Sequence, residues 1–292
     1  MKAADFLYHR PRSEEQVVQL LSEYGGTARI LSGGQSLMPM MNLRLWRPAA
    51  LIDIGSVPGL DAIKAKGEET VLGARVGYHR IETDPVIAER LPLLARMILS
   101  VGDRQVRNRG TIGGALVQAD PTGEMALGAL TLGARIKARG VKGMREIAAE
   151  DFFLGSYATA IEPEEMLVAV TYPRHPAHFA FAEINRRHND FAILSVALLG
   201  DRDASGCWRG LRIGLGGVDE TPVLARRAMD VGEGTTLDRE TVATMAAIAA
   251  EDINPPDDIR ASAEYRRHLT RVYLKRMLTA FGNDAPSRTT ES

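Results

Sequence analysis

The chain has 292 residues, of which 45% are apolar and 28 are glycine, and its 36 basic side chains nearly balance 37 acidic ones. That length exceeds one minimal core and predicts two or three compact domains. The absence of any long run of like charge argues against nucleic acid as a partner, and no stretch approaches the ~18 apolar residues of a membrane-spanning helix.

No apolar segment of signal-peptide length follows the N-terminus, so the chain is expected to be cytoplasmic. Its single cysteine, Cys207, can neither form an intramolecular disulfide nor supply the thiolates of an iron-sulfur cluster. Any cluster chemistry therefore belongs to another chain.

The first predicted element is a helix over residues 13–24. Ser13 and Gln16 have capping-box spacing, Val17, Leu20, Leu21 and Tyr24 recur at helical spacing, and Gly25-Gly26 ends it. A short apolar strand over 28–31 runs directly into Ser32-Gly33-Gly34-Gln35-Ser36, and another strand follows at 51–54. Beyond it come a strand at 70–74, a helix around 85–88 and a longer apolar-faced helix over 92–100. A second glycine cluster, Arg107-Asn108-Arg109-Gly110-Thr111-Ile112-Gly113-Gly114, precedes an apolar stretch at 125–132.

After an apolar strand at 166–170, the proline-rich run Tyr172-Pro173-Arg174-His175-Pro176 marks a domain boundary. Strands are expected at 191–199 and 210–217, then helices at 224–228, 239–250 and 262–281. The polar tail from 283 onward carries no core residues and is expected to be disordered. The chain thus divides into 1–175, with lobes of about 1–55 and 56–175, and 176–282.

Glycine loops let backbone N–H groups converge on a phosphate, because a missing Cβ permits positive φ and close approach. Each loop alone is also an ordinary turn composition, and Ser32 or Ser36 could simply cap a helix. Neither fits the P-loop or the dinucleotide fingerprint. Two separated loops would suit a diphosphate held from both sides. His175 and His178 have no third ligand nearby in sequence, so no metal site is assigned. No Ser-His-Asp or Cys-His set can be assembled, and no catalytic residue is assigned. The run Gly214-Leu215-Gly216-Gly217 reads as a strand end or bulge.

Several motifs together carry a resemblance. They are Tyr8-His9-Arg10-Pro11-Arg12-Ser13-Glu14-Glu15, Ser32-Gly33-Gly34-Gln35-Ser36-Leu37 with Pro39 and Asn42-Leu43-Arg44, and Leu51-Ile52-Asp53-Ile54. To these add the second glycine cluster with Ala119-Asp120-Pro121, Arg187-His188-Asn189-Asp190-Phe191-Ala192, and Leu215-Gly216-Gly217-Val218. Spread over nearly the whole chain, they resemble the FAD-binding medium subunits of the carbon monoxide dehydrogenase and xanthine dehydrogenase family of molybdenum hydroxylases.

The resemblance implies an α+β chain: a two-lobed α/β FAD-binding domain, PCMH-type and vanillyl-alcohol-oxidase-like, then a three-stranded antiparallel sheet with a helical bundle. It implies FAD in this chain and molybdopterin and two [2Fe-2S] clusters in a large and a small partner subunit, arranged as a dimer of heterotrimers. Electrons would leave the flavin for an external acceptor. The oxidised substrate is expected to be an aromatic nitrogen heterocycle ahead of carbon monoxide or an aldehyde. The alternative is a cofactor-free assembly subunit of the same fold.

Carried over position by position, the resemblance places FAD contacts at Arg29, Ile30, Leu31, Ser32, Gly33, Gly34, Gln35 and Ser36. A second segment falls on Thr111, Ile112, Gly113, Gly114 and Ala115, with both glycine pairs at the pyrophosphate. Gln118, Asp120 and Glu124 supply polar contacts, and Leu167 and Val101 apolar ones. Phe191 opens an apolar strand, where a core aromatic is the usual outcome, yet the resemblance sets it beside the isoalloxazine. Asp120 before Pro121 also reads as a turn aspartate. Two positions depart from the family: Ala115 replaces an Asn or Asp of many relatives, and Ala182-Glu183 stands where some have a lysine near the flavin.

Overall fold

A computed structural model describes residues 2–187 and 189–283; the expected disordered tail lies, from 284 on, outside the described residues. The chain forms two compact units. One comprises the residues up to Arg90 together with Gly102–Ala119 and Gly133–Pro173, and the other comprises Leu91–Val101, Asp120–Leu132 and the described residues from Arg174 onward.

The first unit begins with a parallel sheet in which Ala50–Asp53 lies between Leu7–His9 and Ala28–Leu31. Parallel neighbours need a crossover, and the helix Glu14–Glu23 supplies one. Its expected start is present: the Ser13 hydroxyl accepts from the Gln16 N–H at 3.3 Å, and the Arg12 N–H donates to the Gln16 side chain at 2.7 Å. Val17, Val18 and Leu21 are buried among Ala28, Ala50 and Ile52 of the sheet and Met166 and Val168 of the next one.

That second sheet is antiparallel, in the order Ile63–Lys66, Glu69–Gly73, Met166–Tyr172, Arg135–Gly140, Gly143–Ala148. Its centre, Met166–Tyr172, is buried at six of seven positions, as its almost continuous apolar run requires. The strands Arg135–Gly140 and Gly143–Ala148 are not announced by the sequence pattern. In the first of them Ile136 and Ala138 are buried, and Arg135, Lys137 and Arg139, which alternate with them, are half-buried. Its alternation is thus built on charged residues that look like ordinary surface.

The second unit holds the antiparallel sheet His178–Ile184, Leu194–Arg202, Trp208–Gly216, Val223–Leu224. The resemblance implied three strands, of which the sequence pattern located two and left His178–Ile184 out; a two-residue fourth, too short to show a period, is added at the edge. The helices Arg226–Gly232, Arg239–Asp252 and Ala263–Gly282 contribute Ala228, Met245, Ala249, Leu274 and Leu278 to the core beneath this sheet. The expected boundary near 175 lies beside the passage from Pro173 to Arg174, but two earlier segments also belong to this unit. The reason is visible in the helix Glu124–Thr131, whose residues from Met125 onward are all buried. A Cβ on Gly214 would overlap the Thr131 hydroxyl, and Arg212 donates to the carbonyls of Thr131 and Leu130 at 2.6 and 3.0 Å. The Gly214 run is therefore strand and helix seat, with Gly217 turning away at φ +74°.

Candidate functional site: two glycine loops that meet

In the first unit, the strand Ala28–Leu31 ends at Ser32, and the helix Ile112–Gln118 starts after its N-cap, Thr111. Although far apart in sequence, the two loops touch. The Ser32 and Thr111 hydroxyls lie 3.0 Å apart. A Cβ on Gly33 would overlap the Arg109 carbonyl oxygen, so only glycine allows this approach. Gly34 adopts φ +73°, the left-handed conformation that turns the chain back.

The loops offer different groups. Among the described residues, no hydrogen bond takes up the N–H groups of Gly33, Gly34, Gln35 or Ser36. Ser36 precedes the helix Leu37–Asn42 without using its hydroxyl as a cap. In the second loop, by contrast, Ile112 N–H donates to Val76 O at 3.0 Å, Gly113 N–H to Ala74 O at 2.9 Å and Gly114 N–H to the Thr111 hydroxyl at 3.3 Å. Gly113 is buried, and a Cβ there would stand 2.7 Å from Ala74 O; Gly114 is exposed.

The other expected contacts of this unit are varied. The Arg29 guanidinium donates to Gly26 O and Ala28 O at 2.7 and 2.8 Å and lies 4.5 Å over the Trp46 ring. Burial lowers its pKa. Ile30 packs against the lobe core, and Leu31 is half-buried. Ala115 and Gln118 are half-buried on the helix Ile112–Gln118, which packs on the central strand carrying the buried Leu167.

Val101, Asp120, Glu124 and Phe191 belong to the second unit. Val101 is buried. Asp120 does form the turn: its Oδ1 accepts from the Thr122 N–H at 2.9 Å and the Thr122 hydroxyl at 2.7 Å. Glu124 feels a second carboxyl, Glu183, which in the sequence stands out only as a departure from the family. Burial first, then the Glu183 charge and more weakly that of Asp120, pushes Glu124 up to about 8. Burial pushes Glu183 up to about 7, against hydrogen bonds from Ser195 and Asn185, each at 3.2 Å. A carboxyl inside the otherwise apolar strand His178–Ile184 is the signal that could have found it.

Phe191 is not a core aromatic. It precedes the strand Leu194–Arg202 and is 54% exposed, and the Arg260 guanidinium lies 4.8 Å over its ring. Of the two histidines, His175 places Nδ1 2.6 Å from Pro176 O and takes the Leu93 N–H on Nε2 at 3.3 Å, while His178 packs edge-on to Trp208.

Residues 3–175 match the family described as the FAD binding domain in molybdopterin dehydrogenase, and residues 179–281 match the CO dehydrogenase flavoprotein C-terminal domain. The chain belongs to this family. It is 36% identical to the carbon monoxide dehydrogenase medium chain of Afipia carboxidovorans, over 94% of this chain and 96% of that one. With the nicotine 6-hydroxylase medium subunit of Paenarthrobacter nicotinovorans it shares 33% identity, over 97% and 99%. The solved quinoline 2-oxidoreductase of Pseudomonas putida 86 superposes with a TM-score of 0.92 at 36% identity, covering 97% of this chain and 99% of that one. This chain is thus an oxidoreductase flavoprotein subunit of the molybdenum-dependent dehydrogenase class, with FAD as its cofactor.

The loops fit that cofactor. A diphosphate needs donors without bulk, and the pair of loops supplies unused backbone N–H groups, two facing hydroxyls and an exposed glycine. Among the described residues, no helix is long and apolar enough to cross a membrane.

Proposed function

We propose that this chain is the FAD-binding medium subunit of a heterotrimeric molybdenum hydroxylase, assembled as a dimer of heterotrimers in the cytoplasm. In this reading residues 1–175 are a PCMH-type FAD-binding domain and 176–282 the C-terminal domain. The observation that carries it is the meeting of residues 32–36 and 111–115 at the Ser32–Thr111 hydroxyl contact, with the N–H groups of the first loop unused.

Gly33, Gly34, Gln35 and Ser36 hold the pyrophosphate through their N–H groups, and Ser32, Thr111 and Gly114 close the cradle. Arg29, Ile30, Leu31, Ile112, Gly113 and Ala115 shape it from behind. Gln118, Asp120 and Glu124 give polar contacts, Val101 and Leu167 apolar ones, and Phe191 lies beside the isoalloxazine. When bound, FAD supplies the redox centre that receives electrons from a [2Fe-2S] subunit draining a molybdopterin subunit and delivers them to an external acceptor. The chain's own part is binding, orientation and exclusion of water.

The substrate, oxidised in the large subunit, is an aromatic nitrogen heterocycle. Relatives named for nicotine and quinoline support that class; the one named for carbon monoxide, at comparable identity, is the competing case. The test is the visible spectrum of the chain after incubation with FAD, alone and copurified with its partners, followed by heat release of the flavin. A flavin spectrum with FAD released intact supports the reading. A chain that takes up no FAD alone, together with a complex that shows only cluster absorption and releases no flavin on heating, overturns it and leaves a cofactor-free assembly subunit.

A further inference from the structure

The turn that carries Phe191 is clasped by a segment from the far end of the chain. Within the turn, Asp190 N–H donates to Arg187 O at 3.1 Å, Phe191 N–H to Asp190 Oδ1 at 2.8 Å and Ile193 N–H to Ile184 O at 2.7 Å. From outside, Arg266, 1% exposed, donates through Nη1 to Ile193 O and Gly217 O at 2.6 and 2.7 Å, and through Nη2 to Asp258 at 2.8 Å.

Asp258 in turn accepts from the Arg260 and Ala261 N–H groups at 2.8 and 2.9 Å. Arg260 returns to the turn, with its Nε 4.0 Å from Asp190 Oδ1 and its guanidinium 4.8 Å over the Phe191 ring. Arg186 adds a bond to Ile259 O at 3.0 Å. The contacts close a circuit from Phe191 through Ile193, Arg266, Asp258 and Arg260 back to Phe191.

A merely structural clasp would end at the backbone. This one continues to an exposed ring, which would otherwise exchange rotamers in solvent on a fast timescale. We propose that Arg260 is a positioning residue for Phe191, its stacked guanidinium and its pairing with Asp190 fixing the orientation in which the ring lies beside the flavin. The inference rests on the reading of Phe191 given above. A guanidinium suits the task because its plane stacks on an aromatic face while its edge serves a carboxylate.

The experiment uses the purified holo-complex with Phe191→Ala, Arg260→Ala, Arg260→Lys and the Ala/Ala double variant. Two readouts are taken: the rate at which a small-molecule oxidant reoxidises the reduced flavin, and the visible circular dichroism of the flavin in the resting protein. Arg260→Ala is expected to move both in the direction of Phe191→Ala, changing the rate roughly two- to five-fold, the factor of an exposed cation–π contact. The double variant should go no further than Phe191→Ala, and Arg260→Lys, which keeps a cation, should recover part of the change.

If Phe191→Ala moves both readouts while Arg260→Ala moves neither, or if the effects multiply in the double variant, the positioning role is overturned and the reading of Phe191 stands. If Phe191→Ala moves neither with FAD fully bound, the reading of Phe191 falls, and the inference with it. Equal melting temperatures confirm that folding is intact; should Arg260→Ala misfold, Arg260→Lys and Asp190→Asn carry the same comparison.

Discussion

Residues 32–36 and 111–115 each hold a glycine pair with a hydroxyl side chain before it, Ser32 in the first and Thr111 in the second, yet the structure uses them differently. The first loop leaves its N–H groups unspent and needs Gly33 so that the Arg109 backbone can come close. The second has its N–H groups taken up, by the Val76 and Ala74 carbonyls and the Thr111 hydroxyl, and divides its glycines, Gly113 pressed on Ala74 and Gly114 facing outward. A glycine pair is thus not one feature. Each glycine is required by whatever a Cβ would strike, and backbone, hydroxyl and ligand respond differently to the same methyl group.

The largest expected effect is that of Gly33→Val, whose side chain would be driven into the Arg109 carbonyl. It should cost about 3 kcal/mol or more, the upper range of overpacking, and release FAD. Full flavin occupancy with an unshifted denaturation midpoint would break the assignment of the first loop.

The next prediction separates the neutral cradle from the second unit's carboxyl pair. Folded Glu124 and Glu183 keep their protons to about 8 and about 7, above the ordinary 4.5. The folded state therefore binds more protons than the unfolded one between about 4.5 and about 8, and stability should fall as pH rises through that window. Glu183→Gln should flatten the slope of melting temperature against pH, whereas Gly33→Val should lower the melting temperature without altering the slope. A slope untouched by Glu183→Gln would remove the pair as its source.

Within the second loop, Gly113→Ala should destabilise by about 1–3 kcal/mol, because its methyl group meets the Ala74 backbone. Gly114→Ala meets only the Thr111 hydroxyl, at 2.9 Å. It gains about 1 kcal/mol of helix propensity in partial compensation, so its effect should show in flavin content rather than in a urea melt. Equal destabilisation by the two would erase the distinction.

Smaller again, Thr111→Val removes an N-cap and should cost about 1 kcal/mol. Ser32→Ala should cost about half that, since only one partly exposed hydroxyl contact is lost. Urea titration of the two variants side by side would check the order.

Much of this was legible in the sequence where the cause is local. Ser13 and Gln16 announce the first helix, Asp120 before Pro121 announces a turn, and the apolar run through Met166 announces a buried strand; the structure contains each. The strand Arg135–Gly140 escaped because its outward residues are arginine and lysine, and the arginines take part in ion pairs such as Arg139 with Glu14 at 2.7 Å. Glu183 and Arg260 escaped for a different reason. Their roles depend on Glu124 and Phe191, which are distant in sequence and joined to them by no period or motif.

By itself the sequence determined the two loops, because glycine spacing, caps and apolar runs are properties of neighbouring residues, and its motifs carried the resemblance from which the family and the cofactor class followed. Tertiary structure alone decided which glycine faces outward, that Phe191 is exposed under Arg260, that the half-buried Glu124 feels the charge of Glu183, and that residues 91–101 and 120–132 belong with the later part of the chain. Burial, desolvation and close approach are set by what arrives from elsewhere in the chain, and no local pattern records the arrival.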